Sequence, residues 1–368
     1  MSSVEARARR VERVVALGAR IADGDDPLGK EARRDLEGTS GLSAEGVELA
    51  LAEHLEVAIG SDDLVSLLAA VDVAPRCQVI LAANVCTAAL RAIALALAAA
   101  PEVTIRPSRR DPGLAPILAR ELGIGVIEDI TTAAGDALHV YGSDATIAAV
   151  RAKAAPGVRV MGHGTGLGIA IVSAGVDLDG AARALAADVI PFDQRGCLSP
   201  RLALVEGDEA RAAAFAEALH GALGDLGERV PRGEPLDDAT RAAIALYGAA
   251  IDAVGERFAG PQHVVGLDPA PRALTLPPAA RVVQVVPAGA IDAPRLLGSW
   301  ARFLTTVGDA GPGALLDATL ALAPEARRAR LGRMQRPPLD GPVDRRGGGR
   351  RRNRRRSNTT CRGPWRRR

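Results

Sequence analysis

The order of apolar and polar positions divides the chain into a helical start and an alternating body. Residues 1–72 show helical periodicity, which is clearest in AEGVELALAEHLE. From residue 78 onward, short apolar runs typical of β-strands alternate with helical stretches; the runs are QVILAA, EVTIRP, LHVYGS and RVMG. Strands that alternate with helices in this way indicate βαβ units and a parallel sheet.

The same alternation continues through the second half of the chain. GIAIVSA and RLALVEG predict two further strands, each followed by a helix, DLDGAARALAADVI and EARAAAFAEALHGALGDL. DDATRAAIALYGAAIDAVGERF predicts one long helix, ARVVQVVPAG a late strand and APRLLGSWARFLTTVG a late helix. The predicted fold class is therefore α/β.

Composition indicates a globular protein without metal or membrane segments. With 368 residues, 48% of them apolar, the chain can bury a substantial core, and we expect two lobes. Cysteines stand at 77, 86, 197 and 361 without a CxxC pair or a His/Cys cluster, so we expect no zinc site and no disulfides, and a reducing cytoplasm fits best. No signal peptide is evident, and the apolar stretch 87–100 is too short to span a bilayer and contains Arg91.

Basic residues are concentrated at the C-terminus. Residues 341–368 hold 12 Arg against one acidic residue, Asp344, whereas residues 1–340 carry 34 Lys+Arg against 43 Asp+Glu. The tail has no apolar periodicity and repels itself, so we predict that residues 341–368 are disordered. It is either a basic arm for nucleic acid or a non-native extension. We favour the extension, because no nucleic-acid-binding module accompanies the charge.

Three local motifs carry candidate chemistry. In VYGSDATIAAV, Gly142 and Ser143 lie where a strand ends and a helix begins, so a hydroxyl and free N–H groups are available to an anion; an ordinary N-cap is the alternative for Ser143. GHGTGLG, residues 162–168, lacks the GxGxxG spacing, although its backbone could pass close to a ligand. In FDQRGCLSP, Cys197 is either a nucleophile or an inert buried thiol.

Five motifs, in their order and spacing, resemble the aldehyde dehydrogenase superfamily: AANVCTAAL, VTIRPSRRDP, VYGSDATI, GHGTGLGIAIVSAGVDLDGA and FDQRGCLSPRLALVEG. More narrowly, they are similar to its acyl-CoA and fatty-acyl thioester reductase branch, the type that supplies aldehyde in bacterial luminescence. The resemblance runs from about residue 75 to 210 and continues weakly to LGRMQRPPLD near 340. It implies an aldehyde-dehydrogenase-like α/β fold, with a parallel-sheet cofactor domain plus a smaller α/β catalytic domain.

The resemblance assigns candidate catalytic residues. In that family the cysteine after a Gln-x-Gly stretch is the nucleophile, and here Gln194 stands three residues before Cys197. Asn84 in AANVC matches the family's oxyanion-hole asparagine, with the Cys197 backbone N–H as the second donor. A capping residue at the strand-to-helix turn is the alternative for Asn84. The glutamate that activates water in acid-forming members falls at His163, which disfavours hydrolysis of an acyl-enzyme, although His163 could still act as a base.

The resemblance also implies a nicotinamide cofactor, and NADPH rather than NADH. VTIRPSRR takes the place of the family's VxxKPS stretch, so Arg106 replaces the lysine that contacts the adenosine ribose, and Ser108 follows it. Arg109 stands where NAD-preferring members carry a glutamate, and its guanidinium can pair with a 2′-phosphate. The alternative is that Arg109 and Arg110 form a solvated surface pair. The other cofactor-binding candidates lie in the two turns: Gly142, Ser143, Gly162 and Gly164. The family's later Glu-x-Phe-Gly-Pro motif has no clear counterpart.

The implied function is the NADPH-dependent reduction of an acyl thioester, carried by CoA or by a protein, to an aldehyde through a cysteine acyl-enzyme (EC 1.2.1 type). Two alternatives are aldehyde oxidation by the same thiol, and an inactive relative that binds partners through the basic tail. Assembly into a homo-oligomer stays open. The expected domains are a helical region (1–72), a dinucleotide-binding domain (73–190), a catalytic thiol domain (191–310), a C-terminal segment (311–340) and the tail (341–368).

Overall fold

The N-terminal region is helical, as its periodicity predicts. The computed structural model describes residues 3–110 and 112–346. It begins with helices α1 (Ser3–Ala22), α2 (Pro27–Thr39), α3 (Ala44–His54) and α4 (Ser61–Ala70). The side chains of Asp26 and Ser43 accept backbone N–H groups at the starts of α2 and α3, which satisfies donors that have no partner within the helix.

A five-stranded parallel sheet follows within the described residues, with strand order β3-β2-β1-β4-β5. Its elements are β1 (Arg76–Ile80), α5 (Ala88–Ala99), β2 (Glu102–Arg106), α6 (Ala115–Leu122), β3 (Gly125–Val126), β4 (Ala137–Tyr141), α7 (Asp144–Lys153) and β5 (Arg159–His163). Helix α5 is buried along its whole length between this sheet and α1, which explains why its sequence is almost entirely Ala, Leu and Ile.

A second, seven-stranded sheet has the order β12-β11-β6-β7-β10-β9-β8 in the described part of the chain. Its strands are parallel except for the β8–β9 pair. The elements are β6 (Leu167–Val172), α8 (Leu178–Val189), β7 (Pro200–Glu206), α9 (Glu209–Arg229), α10 (Asp238–Asp252), β8 (Glu256–Ala259), β9 (Val264–Leu267), β10 (Val282–Ala288), α11 (Ala293–Leu297), β11 (Leu304–Asp309), α12 (Ala314–Leu322) and β12 (Arg327–Arg330). Helices α8 and α9 cover one face and α11 and α12 the other, so apolar cores lie on both sides.

Two helix predictions were wrong at their C-terminal ends. The long helix α10 ends at Asp252, and the chain turns at Gly255 into β8, where a Cβ would lie 1.9 Å from the Leu267 carbonyl oxygen. The late helix is only α11; Gly298, with φ of 39°, ends it, and a 3-10 helix leads into strand β11. In both cases a glycine permits a turn that the apolar pattern does not reveal.

The change from one sheet to the other comes between His163 and Leu167 rather than near residue 190. Strand β6 and helix α8 therefore belong to the second sheet, together with the strand and helix that follow residue 311. The apolar pattern marks strands but does not indicate which sheet each strand joins, since both sheets are built from the same kind of βα unit. The architecture is the predicted α/β fold with a parallel-sheet domain. None of the described helices is long and apolar enough to cross a membrane.

Candidate active site

The cavity that holds most of the candidate residues opens at the carboxyl ends of β1 and β4. In the order β3-β2-β1-β4-β5 the chain leaves β1 toward one edge and returns to β4 on the other side, so these two strands form a topological switch point. Ligands of open α/β sheets bind in the crevice at such a point. The cavity has a volume of about 790 Å³, and its lining includes Asn84, Arg106, Gly142, His163, Cys197 and Asp344.

The turn that carries Cys197 begins with left-handed backbone. Phe192, Asp193 and Gln194 have φ angles of 55°, 51° and 63° in the 3-10 helix Pro191–Gln194. A non-glycine residue in this region costs about 1–2 kcal/mol. Three such residues in succession therefore need tertiary contacts that hold them in place.

Gln194 and Asp193 supply those contacts. Gln194 is 1% exposed; its Oε1 accepts the N–H groups of Ala280 and Val282 at 3.1 and 2.9 Å, and its Nε2 donates to two carbonyls at 2.7 and 2.9 Å. Asp193 pairs with the buried Arg281 at 2.7 and 2.8 Å. The turn before the thiol is thereby fixed to the neighbouring strands of the second sheet.

Cys197 is half-buried, and the hydroxyl of Thr305 donates to its carbonyl oxygen. Burial, and then the negative charge of Asp344, raise the pKa of the Cys197 thiol to about 11, while the Arg346 guanidinium opposes this rise. The thiolate is the nucleophilic form of cysteine. It is therefore a minor species at neutral pH in this state of the protein.

Accessibility distinguishes Cys197 from the other cysteines of the described chain. Cys77 in β1 and Cys86 before α5 are buried, and burial raises the pKa of Cys77 to about 12. Cys361 lies outside the described residues. Because a reactive cysteine must be reached by its substrate, Cys197 is the strongest candidate among the described thiols.

Asn84 lies in the turn between β1 and α5, where it is exposed and lines the cavity. The N-cap of α5 is Thr87, so Asn84 does not serve as the helix cap that the sequence offered as its alternative role. The amide is a neutral hydrogen-bond donor in the cavity that Cys197 also lines.

The segment 337–346 packs along one side of the cavity, so the prediction that disorder begins at residue 341 was wrong. Arg91 of α5 donates to the carbonyl oxygens of Pro337, Pro338 and Gly341 at 2.6, 3.0 and 2.9 Å. The same guanidinium pairs with Glu56 at 2.8 Å. Hydrogen bonds from an arginine to backbone carbonyls hold this segment, which has no apolar periodicity. Composition alone does not reveal such hydrogen bonds. Residues 347–368 lie outside the described residues.

Asp344 and Arg346 bring charge from this segment into the site. Arg346 pairs with Asp344 at 2.8 Å and donates to the carbonyl oxygens of Thr165 and Arg302 at 2.9 and 3.0 Å. The Asp344 carboxylate is 8% exposed and lines the cavity. The tail prediction therefore missed a charged wall of the site.

Arg106, Ser108, Arg109 and Arg110 lie at the end of β2 and in the turn that follows, and all four line the cavity. Arg106 is half-buried, and Arg109 and Arg110 are exposed. The Ser108 hydroxyl accepts the backbone N–H of Arg110 at 3.2 Å, which closes the turn. Three guanidinium groups beside the switch point fit the phosphates of a dinucleotide.

The turn after β4 also contributes to this side of the cavity. Gly142 and Ser143 both line it. The Ser143 side chain is the N-cap of α7, since its Oγ accepts the N–H of Thr146 at 3.1 Å. The Ser143 side chain therefore has the N-cap role that was the alternative to anion binding, while the backbone of the turn still lines the cavity.

Gly162 and Gly164 have a packing reason to be glycine. A Cβ on Gly162 would lie 2.6 Å from Ile147, and one on Gly164 would lie 2.2 Å from an oxygen of Asp144. Gly164 lines the cavity, whereas Gly162 does not. Close approach of β5 to α7 thus accounts for both residues without a ligand.

His163 ends β5 and lines the cavity. Its ring stacks on that of Tyr141, with 4.1 Å between the centroids, and its Nε2 lies 3.1 Å from Nδ1 of His139. Burial lowers the pKa of His163 to about 4, although Asp344 opposes this effect, so the imidazole is neutral at physiological pH. No group of three or more His, Cys, Asp or Glu in the described chain is placed to hold a metal ion.

Several residues around the site were not singled out from the sequence. His139 and Arg281 lie within runs that read as ordinary strands. Gln335 donates to the Ser199 hydroxyl at 2.7 Å and to the Asp188 carbonyl at 3.0 Å, and so connects the segment after β12 to the thiol turn. The sequence feature that pointed to the segment after β12 was LGRMQRPPLD, which weakly resembles the family and lies beyond the last predicted helix.

Solved structures identify the fold. The chain resembles a NAD-dependent benzaldehyde dehydrogenase from Corynebacterium glutamicum with a TM-score of 0.62 and 16% identity, covering 89% of this chain and 81% of that one. It resembles aldehyde dehydrogenase 21 from Physcomitrella patens with a TM-score of 0.65 and 14% identity over 92% and 79% of the chains. An oxidoreductase from Marinobacter aquaeolei gives 0.65 and 12% over 94% and 84%. The fold is that of the aldehyde dehydrogenases.

The sequence then identifies the family. Residues 123–344, more than half of the chain, match the acyl-CoA reductase (LuxC) family, and the chain belongs to it. No curated protein matches the sequence significantly. The protein is an oxidoreductase of the EC 1.2.1 type, and the family and fold imply an acyl thioester substrate and a nicotinamide cofactor. The resemblance drawn from the five motifs is confirmed.

Proposed function

We propose that the protein reduces an acyl thioester to an aldehyde with NADPH through an acyl-enzyme on Cys197. The observation that carries this proposal is the shared cavity: a half-buried thiol, the Asn84 amide and the cationic turn Arg106–Arg110 line one space at the switch point of the first sheet. The first sheet would hold the cofactor, and the second sheet carries the thiol. The match to an acyl-CoA reductase family supports the direction of the reaction.

In this proposal the Cys197 thiolate attacks the acyl carbonyl and expels the carrier thiol. The developing oxyanion is held by the Asn84 amide and the Cys197 backbone N–H, and losing one such donor typically raises the barrier by about 3–4 kcal/mol. NADPH, when bound, supplies the hydride that reduces the acyl group. The hydrogen bonds of Gln194 and the ion pair between Asp193 and Arg281 keep the thiol turn in position while the carbonyl carbon changes geometry.

The charges in the cavity favour reduction over release of a free acid. Among the described residues, Glu56 and Asp344 are the carboxylates that line it, and each is paired with an arginine at 2.8 Å, Glu56 with Arg91 and Asp344 with Arg346. In each pair the guanidinium occupies a carboxylate oxygen that would otherwise be available to a water molecule. Activation of water by either carboxylate is therefore disfavoured.

The preference for NADPH rests on Arg109. Its guanidinium is exposed on the cavity wall and can form a bidentate pair with a 2′-phosphate. Such a charge-assisted contact is worth about 1.5–3 kcal/mol, which corresponds to a preference of roughly tenfold to 150-fold in kcat/KM. We expect Arg109→Glu to erase or reverse the preference. Equal use of both cofactors by the native enzyme would favour the surface-pair interpretation of Arg109 and Arg110.

The function is tested by following NADPH consumption with acyl-CoA substrates of increasing chain length. We expect Cys197→Ala to abolish turnover and Cys86→Ala, a matched change at a buried thiol, to retain it. Turnover of free aldehyde with NADP⁺, without turnover of any acyl-CoA, would instead assign aldehyde oxidation. Retention of more than a few per cent of activity in Cys197→Ala would exclude this thiol as the nucleophile.

A further inference from the structure

His139 and His163 form a pair of imidazoles at the edge of the cavity. They lie on the adjacent parallel strands β4 and β5, and His139 Nδ1 is 3.1 Å from His163 Nε2. His139 is 2% exposed, whereas His163 is half-buried and lines the cavity. The contact occupies one ring nitrogen of His163 and leaves Nδ1 as its other polar atom.

The contact can have either of two proton arrangements, because each neutral imidazole carries one N–H. If His163 donates from Nε2, then His139 must carry its proton on Nε2. If His139 donates from Nδ1, its Nε2 is a bare acceptor. Both rings are neutral, since burial lowers the pKa of His139 to about 3 and that of His163 to about 4.

The surroundings of His139 distinguish the two arrangements. Its Nε2 is buried and has no hydrogen-bond partner. A buried N–H without an acceptor is rarer in proteins than an under-satisfied acceptor. The arrangement that leaves an acceptor there, rather than an N–H, is therefore favoured, and His139 Nδ1 is the donor to His163 Nε2.

Asp344 lines the same cavity as His163. Its carboxylate acts electrostatically on His163 and favours positive charge on the ring. With His139 Nδ1 as the donor, His163 Nε2 is the acceptor, so the neutral His163 ring carries its proton on Nδ1.

We propose that His139 is a positioning residue that holds His163 as an Nδ1–H donor, so that His163 has no free lone pair with which to activate water. The proposal deepens the proposed function and rests on it, because it concerns the acyl-enzyme on Cys197. Hydrolysis of that intermediate forms a C–O bond with water and breaks the C–S bond, which gives a carboxylic acid and the free thiol. A base must accept the proton that water loses. His163 Nε2 is occupied and its Nδ1 is protonated, so neither nitrogen serves.

His139→Leu tests this assignment, because it removes the donor and places an apolar side chain at a buried strand position. Without the hydrogen bond from His139, the lone pair on His163 Nε2 is free and the ring can act as a base. General-base assistance typically contributes about 10²–10⁴-fold to a rate. We expect the ratio of carrier thiol released to NADPH consumed to be near one in the native enzyme. In the variant the ratio should rise above one, with hydrolysis about tenfold faster or more. Free acid should account for the excess.

Two matched variants separate positioning from a general loss of packing. His139→Asn places an amide N–H near the position of Nδ1 and should keep the native ratio. The double variant His139→Leu/His163→Phe lacks the released base and should lose the added hydrolysis. A native ratio in His139→Leu, or persistent hydrolysis in the double variant, would overturn the proposal.

The tautomer itself provides a readout that does not depend on turnover. In ¹⁵N spectra of histidine-labelled protein, assigned with a His163→Asn variant, we expect His163 to be protonated on Nδ1. Protonation on Nε2 in the native protein would overturn the proposal even if the enzyme is active. A native protein that releases no thiol from any acyl-CoA but shows the Nδ1–H tautomer would refute the proposed function while upholding the His139 assignment.

Discussion

Replacing Asp344 by Asn should make Cys197 more reactive. The Asp344 carboxylate helps to raise the pKa of the Cys197 thiol, and Arg346 works against it. Removing the negative charge leaves the guanidinium uncompensated, so the thiol pKa must fall. A nearby ionised group typically shifts a pKa by about 1–3 units, and we take the lower end because Arg346 already neutralises part of the charge.

A fall of about one unit corresponds to about ten times more thiolate wherever the thiol is mostly protonated. The intrinsic nucleophilicity of a thiolate decreases as its pKa falls, with a Brønsted coefficient of about 0.4–0.5. The net increase in alkylation rate at pH 8 is therefore about threefold. Arg346→Gln removes the opposing charge and should slow alkylation.

The assay follows the rate of iodoacetamide labelling of Cys197 as a function of pH, with the labelled peptide identified by mass spectrometry. Asp340→Asn is the matched control, because Asp340 lies in the same segment but pairs with Arg327 at 2.7 Å and is not among the charges that act on the thiol. An unchanged profile in Asp344→Asn, or the same acceleration in both variants, would refute the electrostatic role of Asp344.

Three further predictions follow from the site and its surroundings. Asn84→Ala should lower kcat for thioester reduction by about 10²–10³-fold with little change in thiol labelling, as measured by steady-state kinetics and alkylation. Deletion of 347–368 should leave activity unchanged, whereas deletion of 341–368 removes the Arg91 contact at Gly341 and the Asp344–Arg346 pair, and should lower both activity and Tm. Stability should fall as the pH drops from about 6.5 toward 4, because burial lowers the pKa of four imidazoles in the folded state, to about 4 in His54, His163 and His263 and about 3 in His139, so the unfolded chain binds protons that the folded chain does not. Burial raises the pKa of Asp188 to about 7 and also raises that of Asp268, which opposes this effect, and Tm at pH 7 and pH 5 measures the net result.

The sequence was informative wherever local pattern determines structure. Strands β1, β4, β6 and β7 coincide with short apolar runs, because these parallel strands are buried on both faces. Asn84 and Cys197 could be proposed because each stands in a short motif, and the structure brings both to one cavity.

Contacts between distant residues were not accessible in the same way. Gln194 forms hydrogen bonds with backbone groups more than 80 residues later in the chain, and Arg91 donates hydrogen bonds to carbonyl oxygens almost 250 residues away. No local pattern encodes such pairs. The same holds for Asp344, whose surroundings in the sequence are basic and polar although its carboxylate is nearly buried.

In the proposed reaction, acyl transfer to Cys197 precedes reduction, and the acyl-enzyme can be trapped by leaving out NADPH. The protein is mixed with a long-chain acyl-CoA without NADPH, quenched, digested and analysed by mass spectrometry, and a second sample receives NADPH before quenching. We expect a thioester adduct on the peptide that contains Cys197, which disappears with release of one aldehyde when NADPH is added. An adduct on Cys77 or Cys86, or aldehyde formation without any adduct at Cys197, would show that Cys197 does not carry the acyl group.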